Sequence, residues 1–547
     1  MKKLFPFICS LCLLQCLFSQ PYIAWQTCYS TNRDDLFFDA ILTSKNKIAC
    51  LGKFTGLDGI MAGQDSLYYP GSLMLFDSTA NLLWMKNYGG IESDGYINST
   101  ILQHIREMPN QNFIIGGLSS SKDGDFPEGH GLYDFAILLV DSVGNKIWSK
   151  SIGGTGEEVF EAVLPTLDGG FIATGRTFSS NGDIPFHYGD GFSSDAIVFK
   201  LDSAGNLLWL KVLGGTGNEG GIANIAEISR GYYYFHISTN SNDNDLSISP
   251  IIGEKRWFIK MDSAGNIVNQ NIMSAVTDLK KGSGESFINV NNQFVYAGTG
   301  NAESDLYPTT PEHASNEGAI AIFDTLLQII EFKQWGGTGA DVFKKIVADA
   351  NGDYYVLGFS YSTDYDLPGN YNNGESNDFW LAKIDKDLNL IWSRNFGGSQ
   401  PNGDLGGGSF SGNLVTINNK VYCFLSMALP ETVPDFDITC GTPELFNYFD
   451  AWLVAFELPN DIPVVQSTTK INIYPNPNSG NFNINSDMLK QGCLMQIFSI
   501  DGKQIYRNTI PATNNPYNFN QTILTKGCYI IQLNNAYETA YGTIIVD

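Results

Sequence analysis

Histidine and cysteine are scarce in this chain, and positive charge is heavily outnumbered. Only five histidines (His104, His130, His187, His236 and His313) occur in 547 residues, with no common spacing. HExxH and P-loop patterns are absent, and no helical framework exists in which a GxSxG nucleophile elbow could sit. Lys and Arg number 32 against 57 Asp and Glu, a formal net charge of −25. Nucleic-acid binding needs a basic surface to displace counterions, so that class is excluded, and anionic lipid is disfavoured on the same ground. Metal cations, neutral glycans and proteins remain as partners. Beyond the first twenty residues no apolar run is long enough to span a bilayer.

Of nine cysteines, Cys9, Cys12 and Cys16 fall in an N-terminal segment that reads as a secretory leader: Lys2 and Lys3, then the apolar run Leu4–Phe18. The expected cut lies between Ser19 and Gln20; a lipoprotein reading ending at Cys16 would place Gln15, not a small residue, before it. The other six (Cys28, Cys50, Cys423, Cys440, Cys493 and Cys528) have neither CxxC spacing nor histidine partners, which argues against zinc. An oxidising destination permits disulfides. Cys493 with Cys528, both near the C-terminus, is the expected pair, and two buried thiols are the alternative.

What the chain does have is a repeat. A segment of about 61 residues recurs seven times, a period that signals stacked or ring-arranged modules. The clearest copies end in one hairpin: Asp134–Trp148, Asp195–Trp209 and Asp378–Trp392. In the copy starting at Val159 four strand-like runs follow one another: VFEAVLPT, FIATGRT, DAIVFKLD and NLLWLKVL. Short apolar or alternating runs bounded by Gly, Asn and Asp are strand signatures, and the DGG and DSAGN links suit tight hairpins. Four antiparallel strands per unit make a β-propeller blade. The expected fold is all-β: a seven-bladed β-propeller over 20–458, a polar linker at 459–470, and a small Ig-like β-sandwich over 471–547. The orphan strand Ile23–Ser30 should complete the last blade beside Asp450–Leu458 and close the ring without a free edge. The recurring tryptophans Trp25, Trp84, Trp148, Trp209 and Trp392 are expected to pack between blades.

That strand order puts the long links, from the fourth strand to the next blade and from the second strand to the third, on one face. Function gathers on long loops held by a rigid scaffold, so this face is the candidate binding surface. Its second-to-third loops repeat an acid-x-Asp-apolar step: Asp123 with Asp125, Asn181 with Asp183, Asp243 with Asp245, Asp364 with Asp366, and Asp435 with Asp437, with a weaker copy at Glu303–Leu306. Clustered carboxylates suit calcium. Asp and Asn also cap turns through their own backbone, and a repeated step more often keeps a loop's shape, so shaped loops are the first reading and calcium the second.

The C-terminal segment is near-neutral and reads as about seven short strands. Tyr474-Pro475-Asn476-Pro477, the Ile500–Lys503 turn with Gly502, and the Gly527–Tyr529 step together resemble the type A C-terminal sorting domain of the type IX (Por) secretion system of Bacteroidota. The resemblance covers about 75 residues at the end of the chain. It implies recognition by the type IX machinery, export across the outer membrane, and anchoring to surface lipopolysaccharide or release. Thr543 stands where the family often has lysine, and Asp547 is acidic. The propeller is similar to repeats commonly carried by such secreted proteins, which share no single activity. The turn Asp-[Ser/Thr]-x, placing Ser78, Ser142, Ser203, Ser263 and Thr325 after an aspartate, resembles the O-glycosylation sequon of Bacteroidota; a plain hairpin turn is the other reading. The function these features support is a secreted, surface-attached, non-enzymatic binding or adhesion propeller whose ligand is a glycan or a protein. A secreted polysaccharide hydrolase or lyase working on the long-loop face is the alternative.

Overall fold

The computed structural model describes residues 21–546 except 57, 63–69, 91–99, 127–128, 190, 221–224, 248, 250, 275–285, 291–292, 302–315, 368–375, 399–411, 429–434, 442–448, 459–470, 479, 500–503, 521–523 and 536–538. The leader, the linker, Gly502 and the Glu303–Leu306 step lie outside the described residues. Two compact units emerge, one of them Ile23–Glu457 and the other carrying the residues from Leu458 onward.

The first unit contains seven four-stranded antiparallel sheets. In the third, Glu158–Pro165, Phe171–Thr177, Asp195–Leu201 and Leu207–Leu213 pair in sequence order. The third strand, DAIVFKL, is buried along its whole length, because neighbouring blades cover both of its faces. A strand buried on both sides reads as a continuous apolar run rather than an alternating one, as this one does. The fourth strand lies at the rim and exposes Leu207 and Leu208.

The first strands surround the axis. Asp35–Leu42, Thr100–Glu107, Glu158–Pro165, Ile225–Ser229, Ser286–Val290, Asp341–Ala348 and Gly412–Ile417 each touch the next, and the last touches the first. This closed circuit makes a seven-bladed propeller. Four of these strands carry a bulge at the same place, at Phe37/Asp39, Leu102/His104, Phe160/Ala162 and Phe343/Lys345, so the extra residue recurs with the repeat.

Closure follows the expected route. Tyr22–Tyr29 is the fourth strand of the last sheet, next to Phe449–Glu457, Lys420–Ala428 and Gly412–Ile417. Gln26 ties it down: its Nε2 donates to Asp437 O at 2.7 Å, while its Oε1 accepts from Thr439 N and from Trp452 Nε1. A Cys28–Cys440 disulfide then bonds the first strand covalently to the last blade. The apolar core runs across this joint, with Phe37 of blade 1 edge-on to Phe424 of blade 7 at 5.3 Å.

The expected Cys493–Cys528 bond is therefore corrected: both thiols are free, Cys493 buried and Cys528 exposed. Their strands pair antiparallel with Leu494 opposite Asn534 and Ser499 opposite Tyr529, so the two cysteines sit at opposite ends of that pair. At about 3.4 Å per residue that is roughly 20 Å, far beyond disulfide reach.

Of the recurring tryptophans, Trp84, Trp148 and Trp209 pack against the turn of the following blade. Trp148 Nε1 donates to Ser203 O and Trp209 Nε1 to Ser263 O, each reaching the hairpin turn of the following blade. Gly205 and Gly265, both at φ +83° or +80°, lie against those indoles, where a Cβ would come within 3.1 Å of the ring. The turn glycine thus serves both its left-handed backbone and the close approach.

The second unit is a seven-stranded β-sandwich. Asn472–Tyr474, Asn481–Asn485 and Tyr517–Asn520 form one sheet; Gln504–Ile510, Cys493–Ser499, Gly527–Asn534 and Thr539–Val546 form the other. Phe482, Ile484 and Phe519 from the first sheet meet Met495, Ile497, Ile531 and Leu533 from the second in a single core.

Candidate binding face and sorting motif

The five described acidic steps make the same contact. The aspartate at the third position of each takes a backbone N–H from the first glycine of the link entering its own blade. Asp125 accepts from Gly89, Asp183 from Gly153, Asp245 from Gly214, Asp366 from Gly336 and Asp437 from Gly397, at 3.0–3.4 Å. The N–H of the same aspartate returns a bond to that glycine's carbonyl. The first position caps the residue two further on: Asp243 takes the N–H and hydroxyl of Thr216, Asp364 those of Thr338, and Asn181 the N–H of Thr155. Asp123 accepts from Ser121 Oγ, and Asp435 exchanges backbone bonds with Ile438. The apolar fourth residue (Phe126, Ile184, Leu246, Leu367 or Ile438) is buried beneath. Each step is a clasp between two loops.

Blade 1 carries a copy that pattern matching missed. Asp58 Oδ1 accepts from Asn32 N, and Ile60 N donates to Ser30 O, the same contacts with isoleucine in place of the second aspartate. Asp58, Gly59 and the apolar Met61 fit the step in the sequence, and Ile60 breaks it.

The x position is left-handed in every described copy. Gly124, Gly182 and Asn244 fill it in blades 2, 3 and 4, residues that accept such a backbone. In the adjacent blades 6 and 7 the same position holds Tyr365 at φ +55° and Phe436 at φ +50°. Both side chains are 58% exposed. Other second-to-third loops add Phe192 at 89% exposure, Phe186, Leu132 and Ile252 to this face.

Beneath the clasps lies a row of buried acids. Glu158 and Asp341, at the starts of their first strands, and Glu219, six residues ahead of Ile225, each accept the N–H of the second link glycine (Gly154, Gly337 and Gly215), and Asp35 does the same for Thr31. Across three seams a second acid of the preceding blade faces them: Asp450 faces Asp35, Asp134 faces Glu158, and Asp195 faces Glu219. At a fourth seam, Glu317 and Asp341 oxygens both stand within 2.5 Å of where a Cβ on Gly336 would sit. Burial first, then mutual repulsion, pushes Asp35, Glu158 and Glu219 up to about 7; burial pushes Asp341 to about 6. All four are sealed from solvent. His130 and His187, in equivalent loops, lie 3.4 Å from Asp134 and 3.7 Å from Asp195. Among the described residues no group of three or more His, Cys, Asp or Glu is placed to hold a metal ion.

On the opposite face the aspartate organises the Asp-Ser-x turns. Asp141 Oδ1 accepts from the N–H groups of Val143 and Asn145, and Asp202 and Asp262 repeat the pattern. Ser142, Ser203, Ser263 and Thr325 are exposed and Ser78 half-buried.

In the sandwich the motif residues fasten the first strand to the last. Asn476, between two cis prolyl bonds at Pro475 and Pro477, donates from Nδ2 to Thr543 O and accepts at Oδ1 from Ile545 N, both at 2.8 Å. Its side chain pairs with strand Thr539–Val546 as a neighbouring backbone would. Tyr529, buried after Gly527, donates its hydroxyl to Thr525 O and accepts from Thr525 N. Tyr474 is largely exposed.

The fold and these sites define a secreted propeller protein with a separate sorting domain. Residues 472–547 match the family described as the secretion system C-terminal sorting domain. The chain thus carries a type IX sorting tail, and it is a secreted, cell-surface protein. No helix among the described residues is long and apolar enough to cross a membrane. No curated protein matches the chain. Among solved structures it is similar to Raptor from Chaetomium thermophilum (9% identity, TM-score 0.39, 82% of this chain and 30% of that one). It is also similar to the β-propeller domain of the Trilobed protease from Pyrococcus furiosus (8%, TM-score 0.37, 72% and 91%). The chain spans under a third of the Raptor chain.

Proposed function

We propose that this chain is a non-enzymatic binding or adhesion propeller, delivered by its sorting tail, whose ligand lies on the long-loop face. The observation that carries this is the pair Tyr365 and Phe436. An aromatic residue in left-handed backbone costs about 1 kcal/mol or more, and the four other described copies of the step avoid that cost with glycine or asparagine. Two neighbouring blades retain the strain and turn large flat side chains to solvent, as a surface does when it stacks on a glycan ring or a protein partner. The clasps give those side chains a rigid footing, which lowers the ordering cost of binding. We read the acidic steps as clasps rather than calcium sites, since their carboxylates already receive backbone donors. The acids with near-neutral pKa are sealed beneath the loops, so they support no hydrolase or lyase chemistry.

The test is a panel of polysaccharides and outer-surface proteins applied to the purified propeller. Retention without new reducing ends is expected, and Tyr365→Gly with Phe436→Gly should lose retention while raising the melting temperature. New reducing ends would favour the hydrolase reading; unchanged retention in the double variant would move the ligand elsewhere. We also propose that Ser78, Ser142, Ser203, Ser263 and Thr325 accept O-glycans: the turn is held without their hydroxyls, and four of them are exposed. Intact mass of the protein from its native host should exceed that of the bare chain.

A further inference from the structure

Three successive seams of the ring are built on one pair, a fourth-strand tryptophan and a glycine in the hairpin turn of the following blade: Trp84 with Gly144, Trp148 with Gly205, and Trp209 with Gly265. Blades 4 and 5 change both members at once. Asn269 and Glu331 stand in the tryptophan's register, opposite Lys260 and Ile322 as Trp148 stands opposite Leu139. In the turns that follow, leucine replaces the glycine. Leu327 and Leu388 keep the turn's bond to an aspartate carbonyl and its left-handed backbone, at φ +64° and +55°, and both are fully buried. A branched side chain in such backbone is costly, so each leucine reads as an answer to the missing indole.

Between blades 4 and 5, Asn269 Nδ2 donates to Leu326 O and Asn271 Nδ2 to Leu327 O, and Leu327 joins a core with Tyr234, Phe258, Phe294 and Phe323. Between blades 5 and 6 the leucine leaves space. A cavity of about 220 Å³ remains there, with Val290, Ile322 and Tyr354 among its walls and the exposed Glu331, Asn351 and Lys386 at its mouth. Tyr354 holds the register of Phe171, on which Trp148 packs edge-on at 5.9 Å two seams earlier in the pattern. Lys386 holds the register of Ser203 and Ser263, whose carbonyls accept the indole N–H of Trp148 and Trp209. The cavity therefore keeps the aromatic wall and the turn of an indole slot, while Glu331 has replaced the indole. Both carboxylate oxygens of Asp387 engage the Lys386 ammonium at 2.9 Å, which leaves Glu331 to set the charge at the mouth.

We propose that this cavity binds a small, flat aromatic molecule carrying a hydrogen-bond donor or a positive charge, an indole or aromatic amine in class, where other seams hold a tryptophan of the chain itself. An apolar cavity of about 150 Å³ suffices for benzene, so the larger space here suits a fused ring or one ring with a short substituent. The ring packs against Tyr354 as Trp148 does against Phe171. Glu331 favours a cationic substituent and repels an anionic one. The site lies among the tight turns, opposite the long-loop face, so its failure leaves the binding reading untouched.

Calorimetric titration of the full chain with indole, tryptamine, indole-3-acetate and galactose tests this. Indole and tryptamine should bind at one site, galactose should not, and indole-3-acetate should bind about tenfold or more weakly than tryptamine, because its charge matches that of Glu331. Glu331→Gln should keep indole binding and bring tryptamine and indole-3-acetate close together. Glu331→Trp with Leu388→Gly, which rebuilds the pair of the other seams, should fill the slot and abolish binding without lowering the melting temperature. Failure of the unaltered chain to bind either indole or tryptamine overturns the proposal. So does galactose binding as tightly as tryptamine, or undiminished indole binding by the folded double variant.

Discussion

The propeller and the sandwich solve the same problem, closing a set of antiparallel strands, by opposite means. The propeller closes over the greatest possible distance: Tyr22–Tyr29 must find a strand more than 400 residues away, and the Cys28–Cys440 bond spans a separation of 412. The sandwich closes locally, with Asn476 reaching Thr543 and Ile545 inside one small core and both cysteines left as thiols. The ring holds the buried acid seams, whereas the sandwich buries no carboxylate among its described residues. The difference suggests a division of labour. A ring closed end to end resists opening and can display loops rigidly, while a self-contained module can serve as an address.

The largest expected effect separates the two units outright. Deleting 471–547 should abolish surface display and leave a folded propeller in the periplasm, and fusing 470–547 to a neutral reporter with a leader should export that reporter. Fractionation with surface proteolysis checks both, and display of the truncated chain at the full-length level would break the comparison.

Next comes the closure. Cys28→Ser with Cys440→Ser should destabilise the propeller by about 2–4 kcal/mol, the usual range for a lost native disulfide. Removing residues 20–30 should cost more, because it exposes the edge of Phe449–Glu457. Calorimetry should show only the propeller transition moving; an unchanged propeller transition after either change would refute end-to-end closure.

Proton linkage sharpens the contrast further. A carboxyl whose pKa is raised on folding adds stability below its unfolded pKa, near 4, and loses it as pH rises through the folded value. For Asp35, Glu158, Glu219 and Asp341 that loss runs from about pH 4 to about 7. His104, its pKa lowered to about 3 by burial, acts in the other direction below about pH 6.5, and so, below the acids' window, do Asp77 and Asp168, lowered to about 2 by their hydrogen bonds. The propeller should therefore melt at a higher temperature at pH 5 than at pH 8, with the sandwich transition nearly level. Glu158→Gln should flatten part of the slope.

The smallest effect is expected from calcium. With Asp125, Asp183, Asp245, Asp366 and Asp437 each taking a glycine N–H, millimolar calcium or chelator should leave both melting temperatures unchanged. A saturating ligand at a hundred times its dissociation constant would instead add about 2.7 kcal/mol, an easily seen shift.

The amino-acid sequence by itself determined the blade. Its period, the DGG and DSAGN turns, and the largely apolar third strands are local signals, because hairpin geometry and two-sided burial act within about 60 residues. Ring closure by the orphan strand was legible too, since an unpaired run with the fourth-strand tryptophan needs a partner. The sorting motif was read from its residues, although how Asn476 works was not. What only the tertiary structure decided are the relations between blades. The Cys28–Cys440 bond, the clasp of each acidic step onto its glycine link, the blade 1 copy at Asp58 and the acid pairs at the seams all join residues that no local pattern connects. Those contacts depend on how each sheet is rotated against the next about a common axis, and that rotation is set by packing across seams rather than by the order of residues within any one blade.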